Sequence, residues 1–258
     1  MTRIVFLFVF FFFVKSISSQ NFMEHKVFKS GEKISYNVMY NLGFLWVNAG
    51  KVEFSVDSSQ LNNKPVYIFK SSGVSHSEYD WVMKVREVFM SYAECEPFKS
   101  VKYARKSIEG SYFANESYMF DYPNKKIYSE IDNSKHKLKK DTLSLKPDSW
   151  DMLTAIYACR NLDFSKYKVG DVIPLYVLLD NKYEPINIKF IGYEYYKISK
   201  GNKVNCIKFT ANLVAGTVFK PEDVMTILVT NDHRHLPVYI EASIIVGTVK
   251  AFISSYVL

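Results

Sequence analysis

Residues 31–56 read GEKISYNVMYNLGFLWVNAGKVEFSV, and the phase of their apolar side chains decides the fold. Ile34, Tyr36, Val38 and Tyr40 alternate with Ser35 and Asn37, the period of two that marks a half-buried strand. Leu45, Val47 and Ala49 place a second strand behind it. After Gly50 the apolar phase slips by one residue, to Val52, Phe54 and Val56. A one-residue slip turns every side chain to the other face, so the spacing predicts a β-bulge at Gly50. Bulges bend strands, and a bent strand this early predicts a curved sheet or barrel.

The rest of the chain repeats the theme. Strand-like runs cover 66–71, 81–90, 101–108, 111–121 and 125–131, then 172–179, 186–192, 193–198, 204–212, 224–230, 237–246 and 248–257. Turn residues separate them, among them Asn62 to Pro65, Glu109-Gly110, Pro123-Asn124 and Ser199 to Asn202. One segment departs. Residues 147–160, PDSWDMLTAIYACR, read as a helix with Asp148 as N-cap and Asp151 in the first turn. Leu153, Ile156, Tyr157 and Arg160 fall on one stripe of it. The expected fold is mainly β: a curved antiparallel sheet forming an open or partly closed β-barrel, with one helix near the middle of the chain. No linker of flexible composition interrupts it, so residues 20–258 read as a single domain behind a leader at 1–19.

That leader has the layout of a secretory signal peptide. Arg3 supplies the positive end, residues 4–14 form an uncharged apolar run, and Lys15, Ser16, Ser18 and Ser19 follow. Eleven helical residues rise about 16 Å, roughly half a bilayer's hydrocarbon thickness, which disfavours an uncleaved anchor. Cleavage near Ser19 or Gln20 leaves a mature chain with no run of 18 apolar residues, hence not membrane-spanning, and exported to the periplasm, the cell surface or the medium. The 48% hydrophobic and 23% charged composition excludes a disordered tail, and three cysteines exclude a disulfide-stapled miniprotein. The net charge of +7 falls to +5 without the leader and is dispersed; Lys137, Lys139 and Lys140 form the one tight basic cluster. Nucleic acid is not an expected partner. Cys95, Cys159 and Cys206 contain no C-x-x-C; in an oxidising compartment one pair could form, with three possible pairings, and the three read as mostly buried, structurally ordinary cysteines.

Catalytic signatures are absent: no G-x-S-x-G, Walker A, H-E-x-x-H or G-x-G-x-x-G occurs. His233 and His235, beside Asp232 in the run Asp232-His233-Arg234-His235, would share a face in a strand and could chelate a metal with their two imidazoles, yet the stretch before Pro237 reads as a turn. His76, Glu78 and Asp80 read as polar loop residues. Glu78, Asp80, Glu87, Asp148 and Asp151 are acids for glycoside chemistry, but the sequence brings no two of them together. Arg160 stands out, because its stripe points a charge inward and such a charge needs a partner. It is either an anchor for an anionic ligand headgroup or a buried tie between helix and barrel. Tyr36, Tyr40, Trp46 and Trp81 are candidates to line an apolar cavity beside it, or ordinary core residues.

Three stretches carry a resemblance. They are Gly31-Glu32-Lys33 with Tyr36, Tyr40 and Ala49-Gly50; Asp151 through Tyr157 and Arg160 with Val169-Gly170-Asp171; and Asp232 through Leu236-Pro237-Val238 with Ile244 to Gly247. In order and spacing they resemble the exported bacterial family called domain of unknown function 3108, from Gly31 to Tyr256. Ala158-Cys159 departs from the bulkier aromatic pair expected before Arg160. The resemblance implies an incompletely closed antiparallel barrel similar to lipoprotein-carrier barrels, and brings no activity, cofactor or catalytic residue with it. The expected protein is therefore non-enzymatic and needs no cofactor or metal. It binds a lipid or other amphiphile in a barrel cavity, with Arg160, Tyr36, Tyr40, Trp46 and Trp81 as ligand-binding residues. The alternative is a structural module with a filled core that docks an envelope protein partner. A glycan hydrolase, which needs two acids in a cleft with one pKa raised, is the third reading.

Overall fold

The computed structural model describes residues 20–42, 44–198, 202–212, 224–244 and 247–257. The leader, residues 199–201 of the expected hairpin connection and residues 245–246 of an expected strand lie outside the described residues. In the first half, β1 (Lys33–Leu42), β2 (Leu45–Leu61) and β3 (Lys64–Ser75) lead through a one-turn helix α1 (Asp80–Met83) to five more strands. These are β4 (Val85–Glu94), β5 (Lys99–Glu109), β6 (Tyr112–Asp121), β7 (Lys126–Asn133) and β8 (His136–Ser144). A short β9 (Ser149–Asp151) and helix α2 (Met152–Arg160) open the second half, followed by β10 (Val172–Leu179) and β11 (Lys182–Lys197). The chain ends with β12 (Lys203–Asn212), β13 (Val224–Thr230), β14 (Pro237–Ser243) and β15 (Thr248–Val257).

All these strands join one curved sheet in the order 8-7-6-5-4-3-2-1-15-14-13-12-11-10-9. The first and last strands pair in its middle, and its ends, β8 and β9, do not pair with each other. Pairing is antiparallel except between β9 and β10, which run parallel because α2 lies between them. Among the described residues no helix is long and apolar enough to cross a membrane.

The expected bulge is present. Val38 faces Gly50 while Met39 faces Asn48, so Ala49 is the inserted residue. A Cβ on Gly50 would stand 2.3 Å from the Val74 carbonyl oxygen, so only glycine lets β2 approach β3 this closely. Four expectations need correction. Trp81 is not in a strand: residues 80–83 coil into α1, and the ladder starts at Val85. The runs at 186–192 and 193–198 are one strand, because Gly192, at φ 133°, absorbs a bulge after Phe190 and the pairing resumes beyond it. Residues 136–144 form β8, whose lysines gave no apolar alternation to read. The helix begins at Met152; Asp148 has a left-handed backbone (φ 54°) and caps nothing. Asp151 is the N-cap, its carboxylate accepting from the Leu153 and Thr154 amides at 3.0 and 2.9 Å.

α2 fills the middle of the curved sheet. Leu153 and Tyr157 pack with Val27, Phe28, Val56, Phe69 and Ala93 of the first half, and the Phe69 and Tyr157 rings stack at 3.9 Å. Ala155 and Ala158 face Ile173, Leu175 and Phe190 of the second. Of the expected stripe only Ile156 reaches solvent, at 37% exposure. The sheet rolls until β9 meets β4 and β5: the Asp151 amide donates to Ser100 Oγ at 2.9 Å, and Ser91 Oγ donates to the Asp151 carboxylate at 2.5 Å. Beyond this seam β6 and β7 pack on the β10–β11 hairpin, where Leu178 joins Tyr103, Tyr118, Phe120 and Ile127.

Candidate functional site

Two buried polar constellations stand on this frame. The first surrounds Arg160. At the C-terminus of α2 its guanidinium forms a two-pronged ion pair with Glu32, Nη1 to Oε1 at 2.6 Å and Nη2 to Oε2 at 3.1 Å. Nε donates to the His235 carbonyl at 3.3 Å and Nη2 to that of Arg234 at 3.2 Å. His235 Nδ1 returns to the Arg160 carbonyl at 2.8 Å, and the Tyr36 hydroxyl donates to the Pro237 carbonyl at 2.9 Å. Burial lowers the His235 pKa, only partly offset by its bond to the Arg160 carbonyl. Arg160 thus ties the helix to the entry of β1 and to the loop between β13 and β14. Its donors are committed to protein acceptors, so the headgroup-anchor reading is replaced by the tie. The turn reading of 232–235 also applies: Asp232 pairs with Arg234, which holds its carboxyl at about 2 despite burial. His235 points into the core instead of sharing a face with His233.

Of the other candidates, only Tyr36 lies near Arg160, packed on Phe54 with ring centroids 6.0 Å apart. Tyr40 and Trp46 are at the opposite end of the β1–β2 hairpin, where Lys250 sits over the Trp46 ring at 4.5 Å. Trp81 is 80% exposed on α1. These side chains do not converge on one cavity. All three cysteines are free, and burial pushes the Cys206 thiol to about 11, which leaves it a poor nucleophile.

The second constellation covers the inner face of β4–β7. Cross-strand rows place Glu87 beside Ser107, Phe89 beside Arg105 and then Glu116, and Ser91 beside Tyr103, Tyr118 and Ser129. The tight turn at Asp180-Asn181, both residues left-handed, is held against this wall. Glu116 Oε1 accepts from the Asp180 amide at 2.9 Å and from the Tyr118 hydroxyl, which itself accepts from the Asn181 amide at 3.1 Å. Many groups on the wall are left open. Tyr103 Oη, Arg105 Nε, Ser107 Oγ, Glu116 Oε2 and Ser129 Oγ are buried with no hydrogen-bond partner, as is Asn181 Oδ1 in the turn. Arg105 reaches the Glu116 carboxylate only at 4.0 Å. At the upper end of the wall Glu87 hydrogen-bonds Glu109. Burial, then the negative charge of Glu109, pushes the Glu87 carboxyl up to about 7 against the pull of Arg105. Burial also raises Glu116, opposed by the Tyr118 hydroxyl and Arg105.

Residues 35–254 match the model of the family described as "Protein of unknown function (DUF3108)". The chain belongs to the DUF3108 family. No curated protein matches it. Among solved structures this DUF3108 chain is similar to the crystal structure of a beta-barrel-like protein of domain of unknown function DUF1849 from Brucella abortus. The two are 8% identical, with a TM-score of 0.58 over 88% of this chain and 97% of that one. At that identity the likeness shows the fold alone.

Sequence reasoning on the DUF3108 chain found Glu87 as a free-standing acid and missed the wall around it. Tyr103, Arg105, Ser107 and Glu109 do alternate with Ala104, Lys106 and Ile108 on β5, but both faces are polar enough that alternation does not say which is inside. On the outer face of β5–β8 a shallow groove of about 640 Å³ crosses the row Lys102, Met119, Tyr128 and Thr142, beside the edge strand β8.

Proposed function

We propose that this DUF3108 protein is an exported, non-enzymatic binding protein of the cell envelope, and that its ligand is held by the polar inner wall of β4–β7. The observation that carries the reading is the clustering of buried, unpartnered donors and acceptors: of eight such side-chain atoms among the described residues, six lie on that wall or the turn held against it, and the other two, Trp150 Nε1 and Tyr157 Oη, lie on β9 and α2. Buried polar atoms normally find partners, and each one without costs about 1–3 kcal/mol. A surface that keeps several is built to complete its hydrogen bonds with something else. Donors (Tyr103, Ser107, Ser129, Arg105) and acceptors (Glu116, Asn181) are interleaved, so the ligand is compact and polar, or a polar headgroup. A long apolar ligand fits less well, because α2, Phe69, Tyr157 and Phe28 occupy the middle of the sheet. The leader's layout supports export.

The hydrolase reading meets a geometric objection. Glu87 has a raised pKa, but it hydrogen-bonds Glu109 directly, whereas the acid pairs of glycosidases stand about 5 Å or more apart. Docking of an envelope protein is the second reading, favoured by Met119, Tyr128 and Leu138, at 55, 43 and 59% exposure near the free edge of β8. Native mass spectrometry of protein purified gently from its own envelope separates the two. A stoichiometric small-molecule adduct, lost in Glu116→Gln or Tyr103→Phe, supports binding at the wall. A bare mass together with a cross-linked protein partner on β8 overturns it.

A further inference from the structure

The upper end of the wall has a charge of its own. Glu87 on β4 lies between Gly73 of β3 and Ser107 of β5. Gly73 adds no side chain, and a Cβ there would stand 3.5 Å from Glu87 Oε2, an ordinary contact distance, so the carboxylate lies against the β3 backbone. Ser107 is 3% exposed, and its Oγ has no partner although it stands on the same strand face as Glu87 and Glu109. The charged groups acting on Glu87 are Arg105 and Glu109 from β5, and Arg105 in turn is acted on by Glu116 from β6 and Asp180 from the β10–β11 turn; β3 presents Gly73 and Ser71, neither charged. Four carboxylates therefore surround one guanidinium, and Arg105 lies toward Glu116.

We infer that Glu87, Glu109 and Ser107 form a subsite for a compact organic cation bearing a primary ammonium group. The inference rests on the binding reading above and names the charge of the ligand. An ammonium has three donors and no acceptor, which matches two carboxylates and a serine oxygen. Among the described residues no group of three or more His, Cys, Asp or Glu side chains is placed to hold a metal ion, and the donor-only ammonium is the cation whose chemistry this set matches. A carboxyl-to-carboxyl hydrogen bond between Glu87 and Glu109 requires a proton on Glu87, whose pKa is raised. The incoming ammonium takes that proton's place between them, and the proton leaves to solvent, so charge balances.

Titration calorimetry of the purified protein with putrescine tests this, with 1,4-butanediol as the uncharged control of equal chain length. The expected result is putrescine binding at pH 8, none by the diol, and affinity roughly tenfold weaker at pH 6 as the Glu87 carboxyl, titrating at about 7, takes up its proton. Glu87→Gln loses at least tenfold in affinity at pH 8, and Glu109→Gln serves the same purpose should the first variant fail to fold. Equal binding by the diol, an unchanged affinity in both Gln variants, or no putrescine binding at pH 8 overturns the inference. If a neutral or anionic molecule copurifies while putrescine does not bind, the charge assignment falls and wall binding stands. If nothing copurifies and putrescine does not bind, both fall.

Discussion

Arg160 and Arg105 are both inward-pointing arginines beside a nearly inaccessible glutamate, and the protein treats them in opposite ways. The donors of Arg160 itself are engaged: both Nη atoms reach Glu32, and Nε and Nη2 also reach carbonyls of the β13–β14 loop, although the neighbouring Tyr157 hydroxyl has no partner. Around Arg105 the hydrogen bonds are open: Glu116 Oε2 is 4.0 Å away, and both it and Nε lack a hydrogen-bond partner. A buried ion pair with its hydrogen bonds closed fixes geometry, because loss of either member strands the other charge. A buried pair left open adds little to the fold, and its persistence has to be explained by what it meets. Arg160 is thus a latch, whereas the wall around Arg105 keeps the open hydrogen bonds on which the proposed binding rests.

The largest expected effect tests the latch. Arg160→Ala strands Glu32, which is 1% exposed, and is expected to destabilise the protein by about 3–5 kcal/mol in chemical denaturation. Adding Glu32→Leu removes the stranded charge and is expected to recover part of the loss. A single-variant cost below about 1 kcal/mol would break the contrast, since it would make the completed site as dispensable as the open one.

Next in size is the pH dependence of the wall. The Glu87 carboxyl lies at about 7 in the folded protein against an ordinary 4.5. A raised carboxyl stabilises the fold fully below about 4.5, and that contribution is lost as pH rises through 7. Glu87→Gln mimics the protonated form, so it is expected to match the natural protein at pH 4 and to exceed it at pH 8 by up to about 3 kcal/mol. Thermal unfolding at the two pH values checks this. A variant equally stable or less stable at pH 8 would mean that Glu87 is not held against its charge.

These two regions were unequally legible in the sequence. The bulge at Gly50, the period-two strands and the curved sheet follow from apolar alternation, which the core enforces directly. Arg160 announced itself because a charge on an apolar helical stripe is a local anomaly, although its partner Glu32 lies 128 residues away and only the rolled sheet brings the two together. The wall gave no such signal. Its polar residues sit at alternating positions of strands whose outer faces are also polar, so nothing local distinguishes inside from outside. β8 and α1 were missed for a related reason: lysine-rich edge strands lack the apolar alternation, and Trp81-Val82-Met83 is as apolar as a strand while folding as a turn of helix.

A third carboxylate sharpens the contrast from the side of the completed sites. Asp151 is fully buried, and burial raises its pKa against the bonds from Ser100, Ser91 and Thr154 that favour its charge. It caps α2 and receives Ser91 from β4, so it closes the seam as well as the helix. Asp151→Ala is expected to cost about 2 kcal/mol, at the upper end for an N-cap. Asp148→Gly, at the position the sequence had suggested for the cap, is expected to stabilise by up to about 1 kcal/mol, because its left-handed backbone suits glycine. Urea unfolding of both variants checks this. If Asp148→Gly were the costlier, the helix would start where the sequence placed it.

The smallest expected effect belongs to Trp81, which lies outside both constellations. An exposed tryptophan on a one-turn helix buries little apolar area, so removing it forfeits little hydrophobic stabilisation. Trp81→Ser is expected to shift stability by no more than about 0.5 kcal/mol and to leave any adduct seen in native mass spectrometry unchanged. That null effect has diagnostic weight. The proposed binding at the wall would depend on groups inside β4–β7, whereas an apolar ligand held at the barrel end would touch the aromatic side chains left exposed there. Loss of the adduct in Trp81→Ser, with Glu116→Gln without effect, would move the site from the polar wall to that exposed end, and the open hydrogen bonds around Arg105 would then need another explanation.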